Sequence, residues 1–129
     1  MKLEIFTFCD FANVYGGALC ITGIADAICA PQAPLKIPRF CIVYRIRFEA
    51  SEEGEHNINI SIMDEDGSPI IPAFQKPIGA QIPKDLNTGA NIGMANFNGV
   101  IFPKFGEYSL DLIVDGNLLS SQPLHFQKI

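Results

Sequence analysis

Two stretches of this chain carry the same pattern. Gly54-Glu55-His56 opens a run in which Ile58, Ile60 and Ile62 alternate with Asn57, Asn59 and Ser61, and Asp64-Glu65-Asp66-Gly67 closes it. Gly106-Glu107-Tyr108 opens a second run, in which Leu110, Leu112 and Val114 alternate with Ser109 and Asp111, and Asp115-Gly116 closes it. Successive side chains of a strand point to opposite faces, so strict alternation leaves one apolar face to bury. A carboxylate–glycine pair then turns the chain. Two such units predict antiparallel β-structure and name no chemistry.

The rest of the chain extends that reading. Leu3 to Phe11 forms a first strand, Asn13-Val14-Tyr15-Gly16-Gly17 turns, and Ala18 to Ile28 returns, with Gly23 marking a bulge or a close backbone approach. Pro31, Pro34 and Pro38 define a linker that cannot join a central ladder. From Phe40 to Glu49, Phe40, Ile42, Tyr44, Ile46 and Phe48 share one face, and Cys41, Val43, Arg45, Arg47 and Glu49 share the other. The turn at Ser51–Gly54 predicts a hairpin between Phe40–Glu49 and Glu55–Asp64. Gly67 to about Asn91 is irregular and broken by Pro69, Pro72, Pro77 and Pro83, although Ile70, Ile71, Phe74 and Ile78 could dock a short edge strand. Met94–Phe102 and Asn117–Phe126 supply further strands. The expected fold is a single-domain antiparallel β-sandwich over residues 1–129, immunoglobulin-like or jelly-roll-like, with seven or eight strands.

The 129 residues are 48% hydrophobic and 18% charged, enough to bury a core and too apolar for disorder. Ten Phe supply bulk where Trp is absent. The formal net charge is −5 and the cations are scattered, so neither nucleic acid nor an anionic membrane is an expected partner. Glu4 and Asp10 interrupt the apolar start too early for a signal peptide, so a cytoplasmic chain is expected. There Cys9, Cys20, Cys29 and Cys41 read as buried or half-buried free thiols.

Taken in order, Cys9-Asp10-Phe11-Ala12-Asn13, Gly17-x-Leu19 and Ile21-x-Gly23 resemble the opening of a bacterial family of small uncharacterised domains. Gly54-Glu55-His56 with Asp64-x-Asp66-Gly67 resembles its middle. Phe102-Pro103-x-Phe105-Gly106-x-Tyr108, Val114-Asp115-Gly116 and Pro123-Leu124 resemble its end. The resemblance spans nearly the whole chain. It implies a compact β-sandwich and no catalytic residue.

Individual residues still warrant a chemical reading. His56 titrates near neutrality and would serve as a ligand or base if paired with Asp64 or Asp66. Its phase with Ile58, Ile60 and Ile62 favours a strand-start role, which Tyr108 holds in the second unit. Asp64-Glu65-Asp66-Gly67 offers carboxylates for calcium, but the remainder of a calcium-loop signature is missing, so no metal or cofactor is expected. Arg45 and Arg47 suit cross-strand ion pairs better than an anion site. Cys41 and Val43 on their face imply cover, either by a second protomer or by the Pro-rich loop. Cys9 beside Asp10 lacks the cation that a reactive thiolate needs. The Asn-rich stretch, with Asn87, Asn91, Asn96, Phe97 and Asn98, is the contact candidate, because polar loops on a rigid scaffold often carry recognition.

These observations point to a non-enzymatic interaction or assembly module that binds a protein partner or itself through an edge strand or an exposed face. The alternative is a small-ligand or carbohydrate-binding sandwich that uses residues 87–98. A hydrolase or metal enzyme centred on His56 ranks third.

Overall fold

The computed structural model describes all residues, Met1–Ile129. Its strands are β1 (Lys2–Tyr15), β2 (Ala18–Ile24), β3 (Ala27–Ala30), β4 (Leu35–Glu49), β5 (Gly54–Met63), β6 (Phe74–Ala80), β7 (Thr88–Phe102), β8 (Gly106–Val114) and β9 (Asn117–Lys128). A single 3-10 turn, Ala50–Glu52, follows β4. The strands form two sheets, a four-stranded one in the order β2-β1-β4-β7 and a five-stranded one in the order β3-β9-β8-β5-β6. Every strand pair is antiparallel except β3 with β9, which is parallel. The fold is all-β.

Both sheets contribute to one cluster of 24 buried residues. The first sheet sends in Phe6, Phe8 and the row Phe40, Ile42, Tyr44, Ile46 and Phe48. The second sends in Ile58, Ile60, Ile62, Leu110, Leu112 and Val114. The two repeated runs lie side by side, Ile60 opposite Leu112 and Ile62 opposite Leu110. Their alternation therefore builds one continuous apolar surface, and each large side chain buried there contributes about 1.5–3 kcal/mol. Phe40 stacks between Phe8 and Phe97, at ring-centroid distances of 4.7 and 5.3 Å.

A second apolar cluster lies on the other face of β4. Cys41 and Val43 alternate with the core row and are buried with Cys9 and Ala12, against Ile5, Leu19, Ile21 and Met94. The cover thus comes from β1, β2 and β7 of the same chain, not from the Pro-rich loop.

Several sequence expectations need correction. Phe40–Glu49 and Glu55–Asp64 do not form a hairpin, because the 3-10 turn carries the chain from one sheet to the other. Leu35 to Pro38 belongs to β4 and pairs with β7. Pro38 is accommodated between the pairs Ile37–Val100 and Arg39–Asn98, where Gly99 adopts a φ of 68° and no ladder bond is demanded of the proline. The stretch Ala18–Ile28 is two strands: β2 ends at Ile24, and β3 crosses to the other sheet. The short edge strand expected within the irregular region does form, as β6 over Phe74–Ala80 against β5, without Ile70 and Ile71. Strand β7 starts at Thr88 rather than Met94, and the division of Ala18–Ile28 together with β6 brings the strand total to nine.

The early half of β7 escaped notice because small residues make room there. A side chain at Gly93 would run into the ring of Tyr44, its direct cross-strand partner. Replacing Gly93 with Ala is expected to cost about 1–3 kcal/mol by overpacking, since buried Tyr44 has nowhere to move. Phe40→Ala should cost about 3–5 kcal/mol through the cavity it leaves. Urea unfolding midpoints test both, and an unchanged midpoint for Gly93→Ala would refute the close approach.

Candidate functional site

Beyond Cys9, strand β1 parts from β4. Its ladder with β4 runs from Lys2 to Cys9, and its ladder with β2 runs from Cys9 to Tyr15. Residues 10–24 therefore form a two-stranded arm. Gly16 and Gly17, with φ of 57° and 79°, make the two-residue turn at its tip. Positive φ at both central positions is what a tight hairpin needs, and Gly adopts it without strain. The first strand thus reaches Tyr15, and not Phe11 as its sequence pattern indicated.

The two faces of the arm differ. Ala12, Leu19 and Ile21 pack toward the cluster of Cys9, Cys41 and Val43. The opposite face carries the cross-strand pairs Phe11–Thr22, Asn13–Cys20 and Tyr15–Ala18, and all six residues are exposed. Tyr15 is 77% exposed and Phe11 46%. No charged residue occurs from Phe11 to Ile24. The Arg39 guanidinium, 5.6 Å from the Phe11 ring, is the charge that leans on this face.

Strand β2 is also an edge of its sheet, so one side of its backbone lacks a ladder partner. Edges are usually blunted by brevity, charge, proline or bulges. The other three edges show such devices. Strand β3 has four residues, and β6 carries Lys76 and Pro77. Strand β7 is irregular at Gly99 and tied to β6 where Asn91 Nδ2 donates to the Gly79 carbonyl at 2.9 Å. Strand β2 has neither charge nor proline, and its one irregularity is Gly23, with a φ of 77°, beside its end at the root of the arm.

The other candidates resolve into structural roles. His56 stacks on Phe48 at 4.6 Å, its Nδ1 lies 2.5 Å from Asp115 Oδ2, and its Nε2 lies 2.6 Å from the Glu52 carbonyl. Both partners are acceptors, so both ring nitrogens donate and the imidazolium form is favoured. The hydrogen bond to Asp115, then the one to Glu52, raises the His56 pKa, while His56 and the Asn57 amide hold Asp115 below its usual range. A ring with both nitrogens occupied has no lone pair left to act as base. Its acid is Asp115, and not Asp64 or Asp66 as the spacing indicated. Tyr108 has the matching role in the other repeat: its buried hydroxyl donates to the Lys104 carbonyl at 2.6 Å.

The acidic run is likewise committed. Asp64 Oδ1 accepts from the amides of Asp66 and Ser68, Glu65 accepts from the Glu107 amide, and Asp66 pairs with Lys104 at 3.1 Å. These bonds fasten the turn after β5 to the start of β8. Beside them, a shallow cavity of about 480 Å³ is lined by Ser109, Ser121 and Gln122. Both serine hydroxyls bond Asp111 Oδ1 at 2.6 Å, and no imidazole is among the lining residues to activate them. Glu4 receives Arg45 and Arg47, the latter at 2.9 Å, which accounts for the basic row.

The Asn-rich candidates do not gather into a loop. Asn87 precedes β7, and Asn91, Asn96, Phe97 and Asn98 lie within it. Asn91 is used by the bond to Gly79, and Phe97 turns into the core, leaving Asn96 and Asn98 exposed without an aromatic neighbour from this set. Of the thiols, Cys9 and Cys41 are buried, while Cys20 and Cys29 are exposed, contrary to the expectation for those two. Burial, reinforced by Cys41, pushes the Cys9 thiol up to about 12, so it is not a reactive nucleophile.

A family model for a family of unknown function, DUF6941, matches residues 4–127. The chain belongs to that family. The resemblance read from its ordered motifs is thereby accounted for, and the family brings no activity with it. No curated protein matches the chain. The arm is the feature that sequence reading missed. Its signal was available as fourteen consecutive uncharged residues in a chain of net charge −5.

The His56–Asp115 pair sets a pH dependence. A raised histidine pKa adds stability that is complete below about 6.5 and is lost as pH rises through the folded value. A lowered carboxylate pKa adds stability present above about 3.9 and lost as pH falls through its folded value. His56→Gln should therefore destabilise by about 1 kcal/mol near pH 5.5 and by less at pH 9. Urea titrations at the two pH values check this, and an equal loss at both would exclude a charged His56.

Proposed function

We propose that this protein is a non-enzymatic interaction module, a cytoplasmic bacterial β-sandwich of immunoglobulin-like or jelly-roll-like kind. It engages a protein partner by adding a strand to the open edge of β2. One observation carries the reading: an exposed, strand-forming arm that has no charged or proline residue and whose β2 edge lies open. Such an edge is a template for pairing, and its retention is costly unless a partner covers it. The backbone supplies affinity there, and the exposed face with Phe11 and Tyr15 supplies selectivity. Free thiols at all four cysteines fit a reducing compartment.

The occupied ring of His56 and the committed carboxylates favour this reading over a hydrolase or metal enzyme. The burial of Phe97 removes the stacking ring that a carbohydrate site on β7 would use. A photo-crosslinker in place of Thr22 on β2 should give discrete adducts in native cell extract, where one in place of Gln75 on guarded edge β6 gives none. Equal labelling from both positions, or none from β2, would sink the proposal.

A further inference from the structure

We infer that the gap left where β1 parts from β4 is a binding site for a small zwitterion with an apolar body, of the class of the apolar α-amino acids. The ligand's ammonium group pairs with Asp10 and its carboxylate with Lys36. The site is separate from the β2 edge and goes beyond the interaction reading.

Strand topology opens the site. The ladder of β1 with β4 ends at the pair Cys9–Cys41, yet β4 extends back to Leu35. From Leu35 to Phe40 it is paired with β7 alone, while β1 continues beside β2. The space beside β4 is a cleft of about 330 Å³. Phe8 and Phe40, stacked at 4.7 Å, join it to the main core, and Ile28, Leu35 and Ile37 add apolar walls. The volume lies at the lower end of small-molecule sites, about 300–1,000 Å³, which suits a ligand the size of one amino acid rather than a nucleotide or an oligosaccharide.

Charge selects the ligand class. Asp10 and Lys36, of opposite sign, both line this cleft. Neither forms an ion pair with the other or with any other residue, whereas Glu4, Glu52, Asp66 and Asp115 are all paired. Each is placed by a glycine of positive φ on the neighbouring strand. A Cβ at Gly23 of β2 would overlap the Asp10 carboxylate, and a Cβ at Gly99 of β7 would stand 3.1 Å from Lys36 Cε. The carboxylate and the lysine stem lie in the room that those missing side chains leave. An uncharged ligand filling the cleft would strip water from both charges and return no hydrogen bond to either. A cation alone would satisfy Asp10 and leave Lys36, and an anion alone the reverse. A zwitterion answers both with charge-assisted hydrogen bonds, while its apolar side chain gains by burial against Phe8 and Phe40.

Titration of the isotope-labelled protein with L-phenylalanine, followed through amide chemical shifts, tests the site. Saturable shifts are expected at residues 8–10, 25–28 and 35–40, which border the cleft, with a Kd of about 1 mM or below. Phenethylamine and phenylpropanoate, each lacking one of the two charges, should bind about tenfold more weakly, as loss of one charge-assisted hydrogen bond requires. Asp10→Asn should weaken L-phenylalanine about tenfold and leave phenylpropanoate no weaker, because that ligand has no ammonium group to lose a partner. Lys36→Met should weaken L-phenylalanine by about the same factor and leave phenethylamine no weaker. Both side chains are exposed, so the amide spectrum away from the cleft should not change in either variant. No saturable shift up to about 20 mM, or shifts confined to other parts of the fold, overturns the inference. So does binding that both variants leave unaltered, or that uncharged phenylethanol matches, since either marks a cleft that takes apolar groups without reading charge.

Discussion

Strand β4 is dry on both faces from Phe40 to Tyr44, and the rest of the structure is arranged around that requirement. On one face, Phe40, Ile42 and Tyr44 demand a second sheet, which β5 and β8 supply with their repeated alternation. On the other, Cys41 and Val43 demand cover that a lone sheet facing water does not provide. Cys9 and Ala12 from β1, with Leu19 and Ile21 from β2 and Met94 from β7, meet that demand. The arm therefore has a thermodynamic reason to lie where it does: its inner face stabilises β4. Its outer face receives no such benefit and remains open.

The polar groups near the core follow the same economy. His56 and Tyr108 stand at equivalent starts of the paired strands β5 and β8, and each buries a ring while bonding a backbone carbonyl near its own strand's start. His56 joins the turn after β4 to the turn between β8 and β9 through Asp115. Tyr108 fastens the chain between β7 and β8. These groups tie the two sheets together at their connections. Their hydrogen-bonding capacity is spent on that task.

Much of the fold was legible from period-two alternation alone, because Ile58–Ile62 and Leu110–Val114 each declare a buried face. Which strands pair was not legible. An alternating strand reads the same whether it turns back on its neighbour or crosses to the facing sheet, and the 3-10 turn at Ala50–Glu52 chose the crossing. The unbroken apolar run from Phe40 to Tyr44 carried a further message, since a strand with one wet face seldom keeps five such residues in a row. The first half of β7 was invisible for the opposite reason. Gly89 and Gly93 are required by close neighbours, Gln81 and Tyr44, and Gly reads in sequence as a breaker of strands. The Asn residues of β7 were mistaken for a recognition loop on composition, although Asn91 is a tie to β6 and Phe97 is core.

The arm joins these threads. A sheet edge is safe when it is short, charged or bent, and the molecule applies those devices at β3, β6 and β7. The absence of charge and proline at β2 has no basis in the stability of the domain, because the exposed positions Ala18, Cys20 and Thr22 touch neither apolar cluster and would accept lysine without loss of packing. Packing therefore does not account for the fourteen uncharged residues from Phe11 to Ile24. The inner contacts of Ala12, Leu19 and Ile21 hold that edge against the body of the domain.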